Sequence, residues 1–408
     1  DSQRSPFLSV HPSRGLMDEK FIILVQKALP GFQLTIHASY HCEDGNSWEA
    51  FAHYTADAGG TVNVSQDTSL GGTYSGVEAM GLLWSLRPVP GSKPGLRIHY
   101  HCQRRRTSRL PWSVGYMAPG VHRIPITEEG LTATLFLPAG PGPFPGLLDL
   151  WGGAGQLVEY RAALLASHGI ASLALDYLTS KVTVETGKTV DNQYFETAYR
   201  VLQKHPQVCG SRIAMLGLSS APVSPLKWLC TPRCAVCIGG SHVQPVDGSV
   251  EQVLGYMNTE KTRFSEQNET IFRDLLLPIP TDPSLKVDVS TTNNCALLLV
   301  VGEDDQNWPA AESAKDMKEM MERAGNSHLL TILSYPKTGH RIEPPYTPHV
   351  RAGIFRTVDT LMALWGGQTV EHSHAQEDAW KKILVFLREN LYDGTDTGVT
   401  TSNQDDCA

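Results

Sequence analysis

Three side chains, spaced along the second half of the chain, have the types and the order needed for nucleophilic acyl transfer. The stretch Ile213-Ala214-Met215-Leu216-Gly217-Leu218-Ser219-Ser220-Ala221 carries an apolar run into Gly-x-Ser-x-Ala. A serine hydroxyl is a poor nucleophile until a neighbouring base takes its proton. On the sharp turn between a strand and a helix that presents such a serine, the residues two before and two after must be small. Gly217 and Ala221 meet that demand, Ala221 with one methyl more than glycine. The backbone N–H of Ser220 would then face the developing oxyanion.

An orienting acid and a base should follow in that order, each after a later strand. The apolar run Ala296–Val301 ends in Gly302-Glu303-Asp304-Asp305, which puts carboxylates at a strand's C-terminal edge, where open α/β sheets meet their ligands. Asp305 is the favoured acid and Asp304 the alternative. Leu329–Leu333 leads to Tyr335-Pro336-Lys337-Thr338-Gly339-His340, and Gly339 allows a tight turn that aims His340 at the serine. The other histidines read as solvated. A second oxyanion donor is expected from Trp151-Gly152-Gly153-Ala154-Gly155, with Gly153 the candidate, because glycine lets backbone approach a substrate closely. In this scheme His340 takes the Ser219 proton and returns it to the leaving group, while Asp305 fixes the tautomer and balances the imidazolium.

Elements able to position these residues are legible around them. Solid apolar runs recur at Gly146–Leu150, Ala171–Leu175, Ile213–Leu216, Ala235–Ile238, Ala296–Val301 and Leu329–Leu333. Helix-like stretches lie at Glu159–Ser167, Asn192–Lys204, Pro309–Ala324 and Glu377–Asn390. Buried strands alternating with amphipathic helices specify a mostly parallel sheet covered on both faces, an α/β domain over residues 125–393. Residues 1–124 read differently. The apolar run Phe21–Val25, the alternating Phe32–Ala38 and turn signals such as Pro30-Gly31 and Gly71-Gly72 indicate a small β-sandwich without a helix of convincing length. Residues 394–408 are polar and rich in Gly and Thr, the composition of a disordered tail.

Bulk properties narrow the classes. A net charge of −8 speaks against a general nucleic-acid binder, and no apolar run reaches the length of a membrane span. Eight cysteines in 408 residues are too few for a disulfide scaffold, and several sit in apolar runs. A reducing, cytoplasmic compartment is expected, and the sequons at Asn63 and Asn268 then count as chance matches. The first residue is Asp1 rather than Met, which leaves room for an upstream segment and a mitochondrial address. The terminal Asp406-Cys407-Ala408 is not a peroxisomal signal of the Ser-Lys-Leu type. No cofactor or metal is expected: Cys234-x-x-Cys237 lacks a second ligand pair, and Cys230 is unsuitably spaced to supply one.

The chain also resembles the family of type I acyl-CoA thioesterases and bile acid-CoA:amino acid N-acyltransferases. The resemblance is carried by Gly71-Gly72-Thr73-Tyr74-Ser75-Gly76, Met80-Gly81-Leu82-Leu83-Trp84, Ala133-Thr134-Leu135-Phe136-Leu137-Pro138, and Gly140-Pro141-Gly142-Pro143-Phe144-Pro145-Gly146. It continues in Glu159-Tyr160-Arg161, Val301-Gly302-Glu303-Asp304-Asp305-Gln306-Asn307-Trp308, Tyr335–Tyr346 and Trp365-Gly366-Gly367. It implies an N-terminal immunoglobulin-like β-sandwich, a C-terminal α/β-hydrolase domain, acyl-CoA as substrate and a triad of Ser219, Asp305 and His340. Within that family the elbow residue discriminates. An acyl-cysteine suits transfer to the amine of glycine or taurine, whereas an acyl-serine favours water once a base is poised beside it. Ser219 therefore points to hydrolysis of fatty acyl-CoA, with amino-acid conjugation as the rival.

Two departures from the family pattern matter, and the first, at the elbow with Ala221 and Pro225, motivates a third reading, a weakened or non-catalytic member. The elbow continues Ala221-Pro222-Val223-Ser224-Pro225, and a proline as deep as Pro225 costs a helix roughly 3 kcal/mol or more. Arg104-Arg105-Arg106 stands where relatives carry further strands, and reads as a solvated loop.

Overall fold

The computed structural model describes residues 6–41, 46–91, 113–152, 157–177, 190–219, 232–243, 260–291, 294–354 and 361–392. The chain divides into two compact units, residues 1–118 with 343–349, and residues 119–342 with 350–408.

The first unit is rich in antiparallel β-structure. The apolar run near Phe21 forms the strand Ile22–Gln26, flanked by Phe7–His11 and Val62–Asn63. The alternating stretch lies within Gln33–His41, which pairs with Ser47–Thr55, and that strand pairs in turn with Arg87–Pro88. Every second side chain of Ser47–Thr55 is buried, namely Trp48, Ala50, Ala52 and Tyr54, as a pleated strand with one covered face requires. The Tyr54 hydroxyl finds that of Tyr74 at 2.6 Å, so its burial leaves no polar atom stranded. One element was not expected from sequence, the single helical turn Gly81–Trp84. Four residues are too few to show a helical period. The Arg104–Arg106 segment lies outside the described residues.

The second unit is built on one eight-stranded sheet. Its strands are β1 (His122–Ile126), β2 (Ala133–Leu137), β3 (Phe144–Leu150), β4 (Ala171–Leu175), β5 (Val208–Leu218), β6 (Cys234–Ile238), β7 (Ala296–Gly302) and β8 (Leu330–Tyr335). They lie in the order β1-β2-β4-β3-β5-β6-β7-β8. Strand β2 is antiparallel to β1 and β4, and every other pairing is parallel. This is the α/β-hydrolase arrangement. Strands β4 and β6 are buried at every residue, and β3 and β7 at all but the first. Both faces are covered, which is why these strands read as unbroken apolar runs.

The helices that cover the sheet are α1 (Tyr160–Ser167), α2 (Asn192–Lys204), α3 (Ala310–Arg323) and α4 (Thr369–Leu391). Phe195 and Leu202 of α2, with Met317 and Met321 of α3, join Leu148, Met215, Leu297 and Leu299 of the strands in one core. Burying each such side chain contributes about 1.5–3 kcal/mol. Asp191 caps α2 by accepting the N–H of Tyr194 at 3.1 Å. The last helix starts at Thr369, well before the expected Glu377, because its first turns turn His372, Ser373 and Gln376 inward. Polar residues on the covered face conceal a helical period.

Candidate active site

Strand β5 delivers Ser219. Its final residues Gly217 and Leu218 pair with Cys237 and Ile238 of β6, and the N–H of Ser219 still reaches the carbonyl of Ile238 at 2.9 Å. There the chain turns abruptly: Ser219 has φ of 68°. A non-glycine residue in that region stores on the order of 1–3 kcal/mol, and such strain concentrates at functional sites. Ser219 is buried. The neighbouring Ser220, together with Ala221, Pro222 and Pro225, lies outside the described residues.

The loop after β3 meets this serine directly. A Cβ added to Gly152 would fall 2.5 Å from Ser219 Cβ and 2.7 Å from the Leu218 carbonyl oxygen. No side chain fits there, so glycine is obligatory at 152. Sequence reasoning singled out Gly153, which is outside the described residues. Two carbonyls leading into this loop are held. Arg161 Nη2 donates to Leu150 O at 3.1 Å, and the Tyr177 hydroxyl donates to Trp151 O at 3.0 Å. Arg161 is itself fully buried against Asp149, with Nε at 2.8 Å from Oδ1.

At the end of β7 the carboxylate of Asp305 is completely buried and fully engaged. Its Oδ1 accepts the backbone N–H groups of Asn307 at 2.8 Å and Trp308 at 2.9 Å, and its Oδ2 lies 2.7 Å from His340 Nδ1. Asp304 faces elsewhere, accepting from Gly367 N and from Gln306 Nε2, each at 2.8 Å. Of the two candidate acids, Asp305 is the one bonded to His340. A carboxylate only accepts, so the ring proton of a neutral His340 sits on Nδ1 and leaves Nε2 as an acceptor.

His340 is buried on the loop after β8. Its N–H donates to Trp365 O at 2.9 Å, and its ring stacks on the Trp365 indole with centroids 5.9 Å apart. Gly239, at φ 57°, packs against this pair, since a Cβ there would come within 3.1 Å of His340 Nδ1 and 3.3 Å of Asp305 Oδ2. Gly339 is required for a different reason than a tight turn. It is not in the left-handed region, but a Cβ would lie 2.4 Å from Gly366 O.

A second buried histidine holds the same loop. His372 Nδ1 accepts the N–H of Gly339 at 3.0 Å, and its Nε2 donates to Arg341 O at 2.8 Å, bracketing His340 on both sides. That corrects the expectation that the remaining histidines are solvated. His242, also buried, corrects it again: its Nε2 lies 2.6 Å from Asp316 Oδ2. Position in the sequence gave no sign of either. Only the packing of α3 and α4 reveals them.

Ser219 Oγ has one partner among the described residues, and it is not His340. The indole Nε1 of Trp308 donates to it at 2.9 Å. Trp308 lies inside a stretch that carries the family resemblance, but sequence reasoning assigned it no role. Elsewhere in the sheet, Cys234 and Cys237 are buried thiols. Burial pushes Cys237 up to about 12 and raises Cys234 as well, so both stay protonated. Among the described residues, no group of three or more His, Cys, Asp or Glu side chains could hold a metal ion. No helix among them is long and apolar enough to cross a membrane.

Strand order and the sharp turn at Ser219 at the end of β5 define the α/β-hydrolase fold. Comparison with known proteins places the chain more closely. Residues 190–393 match the family described as BAAT / acyl-CoA thioester hydrolase C terminal, and residues 18–128 match the acyl-CoA thioester hydrolase/BAAT N-terminal region. The peroxisomal succinyl-coenzyme A thioesterase of Mus musculus is 33% identical over 413 residues, covering 94% of this chain and 96% of that protein. The mitochondrial acyl-coenzyme A thioesterase 2 of Mus musculus is 34% identical over 416 residues, covering 94% of this chain and 89% of that protein. The chain belongs to this family of acyl-CoA thioester hydrolases and bile acid-CoA:amino acid N-acyltransferases. Among solved structures, a putative dienelactone hydrolase from Klebsiella pneumoniae matches with 14% identity and a TM-score of 0.41, over 66% of this chain and 98% of that one.

Proposed function

We propose that the protein hydrolyses acyl-CoA thioesters through an acyl-enzyme on Ser219, with His340 as base and Asp305 as the acid that orients it. The observation that carries this reading is the buried Asp305–His340 bond, which leaves His340 Nε2 as the acceptor. A strained serine at the end of β5 and the family membership support it.

The steps balance as follows. His340 Nε2 takes the hydroxyl proton as Ser219 Oγ bonds to the thioester carbonyl carbon. The tetrahedral intermediate collapses, the C–S bond breaks, and the CoA sulfur leaves with that proton as a free thiol. Water then gives a proton to His340 and its oxygen bonds to the acyl carbon. Fatty acid departs and Ser219 recovers the proton. Asp305 stabilises the imidazolium at both stages. The oxyanion donors in this scheme are the backbone N–H groups of Ser220 and the loop after Gly152, with Gly153 the expected contributor. In the resting arrangement Ser219 and His340 share no hydrogen bond; catalytic bonds of this kind commonly tighten only with substrate bound.

Serine at the elbow favours water over an amine as acyl acceptor. The relatives' names span peroxisome and mitochondrion. The buried thiols of Cys234 and Cys237 suit a reducing compartment, and we take the cytoplasm as the expected one.

The test is free-thiol release from a long-chain acyl-CoA, with and without glycine or taurine, while the acyl product is identified. Free fatty acid should dominate in every case, and Ser219→Ala should lose at least about a thousandfold in kcat. Unchanged thiol release in that variant removes Ser219 from the mechanism. N-acyl glycine or taurine as the main product would establish the transferase reading. Retained acyl-CoA binding with no thiol release by the wild type would show a non-catalytic member.

A further inference from the structure

We infer that Trp308 is a catalytic residue: its indole N–H donates to Ser219 Oγ, holds that oxygen in position and stabilises the negative charge it carries during attack. The inference rests on the reading of Ser219 as nucleophile.

Hydrogen-bond chemistry gives the first argument. A serine hydroxyl has one proton to give and two lone pairs to accept with, whereas an indole N–H can only donate. With Nε1 at 2.9 Å, Trp308 occupies one lone pair of Oγ. The hydroxyl proton therefore remains available for a base, and it cannot be spent on Trp308. A carboxylate or carbonyl at the same place would have captured that proton and opposed the chemistry.

The second argument is how the indole is held. Asp305 uses Oδ2 for His340 and Oδ1 for the backbone N–H groups of Asn307 and Trp308. One buried carboxylate thus sets both the base and the residue that touches the nucleophile. Asn307, between Asp305 and Trp308 in sequence, is buried as well. The position of Trp308 is built into the acid loop rather than left to an exposed side chain.

The third argument concerns charge. A donor contributes most to an acceptor that is ionised. Oγ is closest to an alkoxide as its proton leaves for His340, and again when the acyl-enzyme collapses and Oγ is expelled. It is a weaker acceptor as the bridging oxygen of the acyl-enzyme. Trp308 therefore acts on both half-reactions and favours the charged moments over the stable intermediate, which is the differential binding that raises kcat.

Trp308→Phe keeps most of the ring and removes the donor. Losing a hydrogen bond to a charged oxygen lowers rates by roughly tenfold to a hundredfold. Two readouts apply: kcat for thiol release, and the rate at which a fluorophosphonate, a probe that reacts with activated serines, labels the protein. Both should fall by that factor. The pH midpoint of labelling should not move, because it reports the base and not the indole. Acyl-CoA affinity, measured in Ser219→Ala with and without the second change, should also stay constant. A merely structural role would instead shift affinity or the midpoint. Should the phenylalanine variant fold poorly, benzothienylalanine at position 308 exchanges the N–H for sulfur at constant shape and should show the same loss. Labelling and turnover at wild-type rates, or faster, in either replacement overturn the inference. If Ser219→Ala itself keeps full activity and labelling, it is the nucleophile assignment that fails.

Discussion

Among the described residues of the second unit two buried histidines are paired with aspartates, Asp305 fully buried and Asp316 partly exposed, and the pairs are wired in opposite ways. Asp305 binds His340 through Nδ1 at 2.7 Å, while Asp316 binds His242 through Nε2 at 2.6 Å. In the first pair the free nitrogen is Nε2, the one farther from the backbone, on a loop packed against Gly239. In the second the free nitrogen is Nδ1, buried and without a hydrogen-bond partner. The carboxylates differ too. Asp305 is tied to backbone N–H groups, so its charge is left for the imidazolium to balance. Asp316 shares its Oδ2 with Lys286 Nζ at 2.9 Å, so its charge is already met by a cation. Serines accompany both pairs, Ser219 in one and Ser241 with Ser313 in the other, the latter two bonded to each other at 2.9 Å. Residue types alone would not separate the pair proposed as catalytic from the other. The ring nitrogen that is bound, the cation beside the acid and the place on the sheet do.

Removing each acid's charge should break the two pairs differently. Asp305→Asn keeps the shape but no longer fixes the His340 tautomer or balances its charge, and kcat should fall roughly a thousandfold or more with little change in melting temperature. Asp316→Asn should leave kcat within about twofold. It should cost about 1–2 kcal/mol of stability, because the nearly buried Lys286 loses its counter-charge while partial exposure of the site softens the loss. Thiol-release kinetics and thermal unfolding on both variants check this. Equal catalytic losses would erase the distinction.

The smallest expected effect is on pH dependence. Burial lowers the pKa of His242 despite its bond to Asp316, so the native state resists protonation more than the unfolded chain does. Its stability contribution is therefore complete above the unfolded value of about 6.5 and is lost as pH falls below it. Asp316 is held below the usual carboxylate range, with its bonds to Lys286 and His242 outweighing desolvation, so its contribution survives until lower pH. Melting temperature should decline between about pH 7 and 5, and His242→Gln should flatten that decline. Parallel curves for the variant and the wild type would contradict this.

Much of the candidate site was legible in the sequence because its carriers are parallel strands, β5 and β7 buried towards their ends and β8 half-buried at the sheet edge, which announce themselves as apolar runs with chemistry at their C-terminal ends. Ser219, Asp305 and His340 each sit just past such a run, at β5, β7 and β8. What escaped depends on proximity that no linear pattern encodes. Gly152 matters because Ser219 Cβ is next to it, and Gly339 because Gly366 crosses it. His372 sits among polar residues at the start of α4, where the helical period is hidden. Trp308 was visible as part of a motif, but only coordinates show that its indole ends at the serine.

The most direct test of the central claim is to trap the acyl group. Wild-type protein mixed briefly with a long-chain acyl-CoA, quenched in acid and examined by intact and peptide mass spectrometry, should gain one acyl mass on the peptide bearing Ser219. The His340→Ala variant should gain it far more slowly. Turnover with no acylated peptide, or with the acyl group on any other residue, would contradict the account.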